Sequence, residues 1–154
     1  MTTENSISIW QESLSSLPDK QFFNIMRLYL GEIETPYNKQ KLISRLASFL
    51  KTPENLSTLT AYLDEDELKI LAAIRFIPNA TKETLADFFT GTFSLAVIYS
   101  KVINLSERLI IYSKKDKFSD NEFLYLNPLL FETLESFLSY KYLLPDAEVK
   151  EFLT

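Results

Sequence analysis

Apolar residues recur at steps of three and four through most of this chain, the spacing of helices, and give way once to a β-favouring pair of runs. After a polar, frayed end over residues 1–6, Ile7, Trp10, Leu14 and Leu17 mark a first helix. Ser16-Leu17-Pro18-Asp19 has the form of a capping box and opens a second helix to about Leu30. Phe22, Phe23, Ile25, Met26, Leu28 and Tyr29 make that helix apolar over most of its girth, so it needs cover on more than one side. Gly31 is placed to stop it in the left-handed conformation. Beyond the loop GEIETPYN, Asn38 caps a third helix with the stripe Leu42, Leu46, Phe49 and Leu50, Ile43 beside it, and Lys41 and Arg45 on the opposite face. Thr52-Pro53 ends it and starts a fourth, the proline at a permitted first position, with Leu56, Leu59, Tyr62 and Leu63 inward.

The stretch from Asp64 to Pro128 organises the rest. Asp64 caps a helix with Glu67 at the box position and Leu68, Leu71, Ile74 and Ile77 as its stripe. Ile77-Pro78-Asn79 breaks it, and Thr81 caps a short helix carrying Leu85, Phe88 and Phe89. Gly91 closes that one, Thr92 caps the next, and three residues between Phe89 and Phe93 turn the corner. Leu109 to Ser113 and Glu122 to Leu126 read as strands around the polar turn KKDKFSDN. Asn127-Pro128 then starts a final long helix to about Leu143, with Leu130, Leu134, Phe137 and Leu138 inward, and a short helical tail after Pro145.

Three helices and a strand pair in that order are the pattern of a winged helix-turn-helix. The expected architecture is therefore mainly α: a helical N-terminal part over 1–63 packed on a winged helix-turn-helix over 64–131 with a small two-stranded wing, and a C-terminal helix over 132–154 completing the core. An apolar fraction of 46% with 12 Phe, 8 Tyr and 1 Trp supplies that core, and 2 glycines argue against a turn-rich β-sandwich or a phosphate-cradling glycine loop.

Chemistry is narrowed by what is missing. The chain has no cysteine and no histidine, which removes thiol nucleophiles, disulfides, the usual zinc sites and any triad that needs imidazole. No catalytic set, metal site or cofactor is expected, and the chain does not read as an enzyme. No basic and apolar leader opens it, and no run approaches the ~20 apolar residues of a membrane span, so a soluble, cytoplasmic protein is expected.

Charge is segregated. Tyr37 to Lys51 holds Lys39, Lys41, Arg45 and Lys51 and no acid, so it carries +4 in a chain of net −5 and leaves −9 for the remainder. Phosphate fits the start of such a helix, where free N–H groups and the dipole favour an anion and Lys39, Lys41 and Arg45 add charge. The plainer reading is a solvated face that pairs with acids elsewhere. Wing residues Lys114, Lys115 and Lys117 are a second set that fits phosphate, but Asp116, Asp120 and Glu122 stand among them. The recognition-position helix FSLAVIYSKVINLSER lacks the outward Arg, Lys, Asn and Gln set of a groove reader and looks buried or covered by a partner. Asp64-Glu65-Asp66-Glu67 suits a hard cation, yet acids at a helix start already have a role in capping. Most aromatic residues sit at stripe positions; Tyr112, Tyr125 and Tyr140 stay undecided between core and base stacking.

Two resemblances follow from these residues. NKQKLISRL, with Lys39, Leu42, Ile43, Arg45 and Leu46 in place, resembles the second half of a SAP motif, a small DNA-binding helical unit. That helix pair, the capped helix near DEDEL and the following winged helix together resemble the N-terminal accessory region of bacterial XPB-type helicases. No GxxxxGK[ST] occurs, so the resemblance is to an accessory module without the motor. It implies nucleic-acid binding. The function expected is thus a non-catalytic nucleic-acid-binding accessory module that contacts phosphates through Lys39, Lys41, Arg45 and the wing lysines. The alternative is a protein-interaction adaptor or dimerisation module using the apolar helix 93–108, with a protein partner or a second copy.

Overall fold

Two apolar cores lie side by side in the computed structural model, which describes residues 3–33 and 35–143. Helices α1 (Thr3–Ser15), α2 (Asp19–Leu30) and α3 (Lys39–Lys51) enclose the first, built on Trp10, Phe22, Met26, Ile43, Leu46 and Leu50. Helices α5 (Glu65–Phe76), α6 (Lys82–Phe88) and α7 (Leu95–Glu107), an antiparallel ribbon of β1 (Ile111–Lys115) and β2 (Glu122–Leu126), α8 (Phe131–Glu135) and a 3-10 turn at Tyr140–Leu143 enclose the second. Between them α4 (Pro53–Thr60) lays Leu59 against both. Among the described residues the chain is mainly helical with one small two-stranded sheet, the class its pattern predicts.

Local signals set most boundaries. The Asn38 side chain accepts from Lys41 N at 3.1 Å and starts α3. Asp64 and Glu67 form a reciprocal capping box on α5, and Thr81 and Thr84 form one on α6. Within α5, burial of Ile70, Leu71, Ala72, Ala73 and Ile74 exceeds the predicted stripe, because α6, the ribbon and the C-terminal turn surround it.

Several expectations need correcting. Residues 3–6 belong to α1 rather than to a frayed end. Pro18 precedes α2 with no side-chain cap, because Ser16 Oγ donates back to the Glu12 carbonyl instead. Gly31 has the positive φ of 79° expected of a stop, but its ψ of −146° is extended rather than left-handed helical. Leu28 is 72% exposed and Tyr62 81%, and Phe88 also faces solvent, so each lies just off its buried stripe. Ser94 rather than Thr92 caps α7, whose first residue is Leu95.

The largest departure is at the C-terminal end. A long helix from Asn127 does not form: α8 has five residues, and a 3-10 turn follows. Leu130, Leu134 and Leu138 are buried as predicted, while Phe137 is not. Serines divide the segment, since Ser136 Oγ donates to the Thr133 carbonyl and Ser139 Oγ accepts from Lys141 N, both in competition with the helical ladder. The tail after Pro145, with the rest of 144–154, lies outside the described residues.

β1 starts two residues later than the β-favouring run because Leu109 takes φ 61°. That turn sends Leu109 into the first core while Ile110 and Ile111 enter the second. A left-handed leucine costs about 1–2 kcal/mol. Full burial of its side chain offsets this with about 1.5–3 kcal/mol. Asn127, fully buried, holds the turn: its Nδ2 donates to the Leu109 carbonyl at 2.8 Å and its Oδ1 accepts from Leu129 N at 2.9 Å. A second tie joins the halves, the Tyr29 hydroxyl donating to the Glu107 carbonyl at 2.9 Å.

Candidate nucleic-acid interface

Because α3 buries Leu42, Ile43, Leu46, Ala47 and Leu50 against the first core, its polar residues are forced outward. Gln40, Lys41, Ser44, Arg45, Ser48 and Lys51 are all exposed, and no acid lies among them. At 3.6 residues per turn Lys41 and Arg45 stand one above the other, with Ser44 and Ser48 beside them. Among the described residues neither Lys41 nor Arg45 has an ion-pair partner. Thirteen residues at about 1.5 Å each make this face about 20 Å long.

Lys39 is placed differently. Its Nζ donates to Asp19 Oδ1 at 2.7 Å and lies 5.1 Å from the centroid of the Phe22 ring. It clamps α3 to the start of α2, and its charge is locally neutralised. The open cations of the segment are therefore Lys41, Arg45 and Lys51.

The wing lysines do not act together. Alternation along β1 puts Tyr112 and Lys114 on one face of the ribbon, while Lys115 lies on the other, opposite Glu122 in the register. Lys117 is exposed in the turn, near Asp116 and its hydrogen-bonded partner Ser119. Lys114 and Lys51 of α3 line one groove of about 800 Å3 between α1, α4, α5 and the ribbon. Tyr112 and Tyr125 form part of the same wall, register partners with ring centroids 5.4 Å apart. Burial, and then the neighbouring Tyr125, push the Tyr112 hydroxyl up to about 12. Arg75 and Phe131 also line the groove, the guanidinium 5.2 Å from the ring centroid and bonded to both carboxylate oxygens of Glu135 at 2.9 and 3.3 Å. Period-two spacing of Tyr112 and Lys114 was the available signal for this groove; Arg75 and Phe131 carried none.

Helix α7 is covered by its own chain on one face only. Ile98, Val102 and Leu105 are buried, but Leu95 is 56% exposed, Ile103 55%, and Val97 also reaches solvent. Ile103 and Leu28 of α2 both line a second groove of about 670 Å3.

The acidic run is engaged in structure. Asp64 Oδ1 accepts from Glu67 N, Glu67 Oε1 accepts from Asp64 N, and Glu67 Oε2 accepts from Arg108. Lys101 stands 3.5 Å from Asp64. Among the described residues no group of three or more acidic side chains converges as a metal site, and no helix is long and apolar enough to cross a membrane.

A family model described as an N-terminal domain, TP_0021_N, matches residues 1–51. The match ends where α3 ends, so the chain is similar to that domain over α1 to α3, including the basic face. No curated protein and no solved structure matches the chain.

Proposed function

We propose that this chain is a non-catalytic nucleic-acid-binding module that holds phosphate oxygens along the outer face of α3. One observation carries the reading: in a chain of net −5, a face about 20 Å long (13 residues at about 1.5 Å each) presents Lys41, Arg45 and Lys51 with hydroxyl and amide side chains between them and no acid. Ser and Gln donate to phosphate oxygens, and Lys and Arg add the charge that makes binding favourable. The likeness of Asn38–Leu46 to a SAP motif supports the same face. The helix–helix–helix–ribbon order of 64–131 supports the winged helix-turn-helix reading, with Lys114 as its contribution to the surface. Three cations give a weak, sequence-neutral site whose log K falls by about 2–3 per tenfold rise in salt. A cytoplasmic location fits this reading, as does the cysteine-free composition.

The test is fluorescence anisotropy with a labelled short duplex and a labelled oligothymidylate at low and moderate salt. A Lys41→Glu/Arg45→Glu variant is expected to lose at least about tenfold in affinity for both. Equal affinity of variant and wild type overturns the reading. Emission of Trp10, buried in the first core, reports whether the variant is folded.

A second reading rests on α7. Leu95, Val97 and Ile103 make an aliphatic strip at the recognition position, supporting a protein partner or a second copy there. Light scattering across concentration tests the second copy: a dimer abolished by Ile103→Lys favours it, and a monomer throughout removes it.

A further inference from the structure

We propose that the groove beside the ribbon takes an unpaired base, so that the nucleic acid this chain binds is a single strand rather than a duplex. This rests on the reading of α3 as a phosphate-binding face and names its substrate class.

Lys51 joins the two features. It is the last residue of α3, exposed at the end of the basic face, and it also lines the groove. A backbone tracking Lys41 and Arg45 toward the end of the helix arrives at Lys51, with Lys114 of the ribbon also on the lining. The lining carries Lys51, Arg75 and Lys114 against Glu132, a local cationic excess on an acidic chain. Arg75 is already held by Glu135, which leaves Lys51 and Lys114 for phosphate.

Three aromatic residues share that lining with the cations. Tyr112 and Tyr125 pair across the strands with their rings tilted by 30°, and Phe131 has the Arg75 guanidinium over its ring. Aromatic faces in a cationic groove are the recurrent means of holding single strands without sequence preference, because every base has a face to stack. In a duplex those faces are covered by neighbouring bases, so a duplex uses the lysines and not the rings. The volume of about 800 Å3 falls within the roughly 300–1,000 Å3 of small-ligand sites, enough for a base and its sugar.

Anisotropy titration at low salt with an oligothymidylate and a duplex of the same length tests this. The single strand is expected to bind about tenfold or more tightly than the duplex. Tyr125→Ala should remove that preference with duplex affinity unchanged, and Tyr125→Phe should retain it. Phe131→Ala, at a groove residue 38% exposed, should likewise weaken the single strand selectively and decides the matter if Tyr125→Ala does not fold. Equal affinities in the wild type, or a Phe131→Ala variant that binds the single strand normally, overturn the groove. If Lys41→Glu/Arg45→Glu still weakens both ligands, the α3 reading stands without it. Absence of binding to either ligand removes both.

Discussion

Asn127 Nδ2 donates to the Leu109 carbonyl at 2.8 Å, and through that bond the residue after β2 fixes the turn at which the chain passes between its two cores. Leu109 is left-handed and buried in the first core; Ile110 and Ile111 are buried in the second. Asn127→Ala leaves the Leu109 carbonyl and the Leu129 N–H without their partner, and a loss of about 2–3 kcal/mol is expected. Leu109→Ala opens a cavity beside the first core and should cost about 2–4 kcal/mol. Since both act on one turn, the double variant should lose less than the sum. Urea unfolding followed by Trp10 emission measures all three; full additivity would show that the bond does not hold the turn.

Glu67 unites two roles in one buried carboxylate. It closes the α5 capping box and accepts from Arg108 at the end of α7. Glu67→Gln keeps an acceptor for Asp64 N but not the charge, and about 1–2 kcal/mol is expected. Glu67→Ala loses the cap as well and leaves Arg108 half-buried without its partner, for about 2–4 kcal/mol. Thermal unfolding should rank wild type above Gln above Ala. An Ala variant as stable as Gln would deny the cap any part.

Stability should fall at alkaline pH through Tyr112. Its ordinary pKa is 10.0, and in the fold burial raises it to about 12. Between those values the unfolded chain releases the proton and the folded chain does not, so unfolding is increasingly favoured. The contribution is fully present below pH 10 and is lost as pH rises toward 12. Tyr29, also raised chiefly by burial, acts in the same direction. Tyr112→Phe should therefore flatten the decline of the urea midpoint above pH 10 without removing all of it. An unchanged slope would mean that the hydroxyl ionises normally.

The strip on α7 predicts tolerance. Leu95→Lys and Ile103→Lys place charge where the side chains already meet solvent, and each should change stability by no more than about 0.5 kcal/mol. Val102→Lys, one position away and buried, should unfold the chain. Equal damage from all three would mean that a partner or a second copy covers the strip.

Much of this was written into the sequence, and the remainder has identifiable causes. Asn38, Asp64 with Glu67, and Thr81 act through hydrogen bonds to residues three positions on, so their caps depend on nothing distant. The buried faces of α3 and α7 follow helical spacing for the same reason. Tyr62 and Phe88 escaped because both lie near the end of a short helix, where the chain turns away from the stripe. The long C-terminal helix failed because Ser136 Oγ donates to the Thr133 carbonyl and Ser139 Oγ accepts from Lys141 N, bonds that spacing of the apolar stripe does not reveal. Of the site, Lys41 and Arg45 were legible from spacing alone. Nothing local shows that Asp19 occupies Lys39, that the register sets Tyr125 beside Tyr112, or that Lys114 and Lys51 line one groove.

The most direct test of the central claim is the salt dependence of oligothymidylate binding to the wild-type chain and to Lys41→Glu/Arg45→Glu. A wild-type log K that falls by about 2–3 per tenfold rise in salt, and a much shallower line for the variant, is the predicted result. Two parallel lines, or no wild-type binding at the lowest salt, would contradict it.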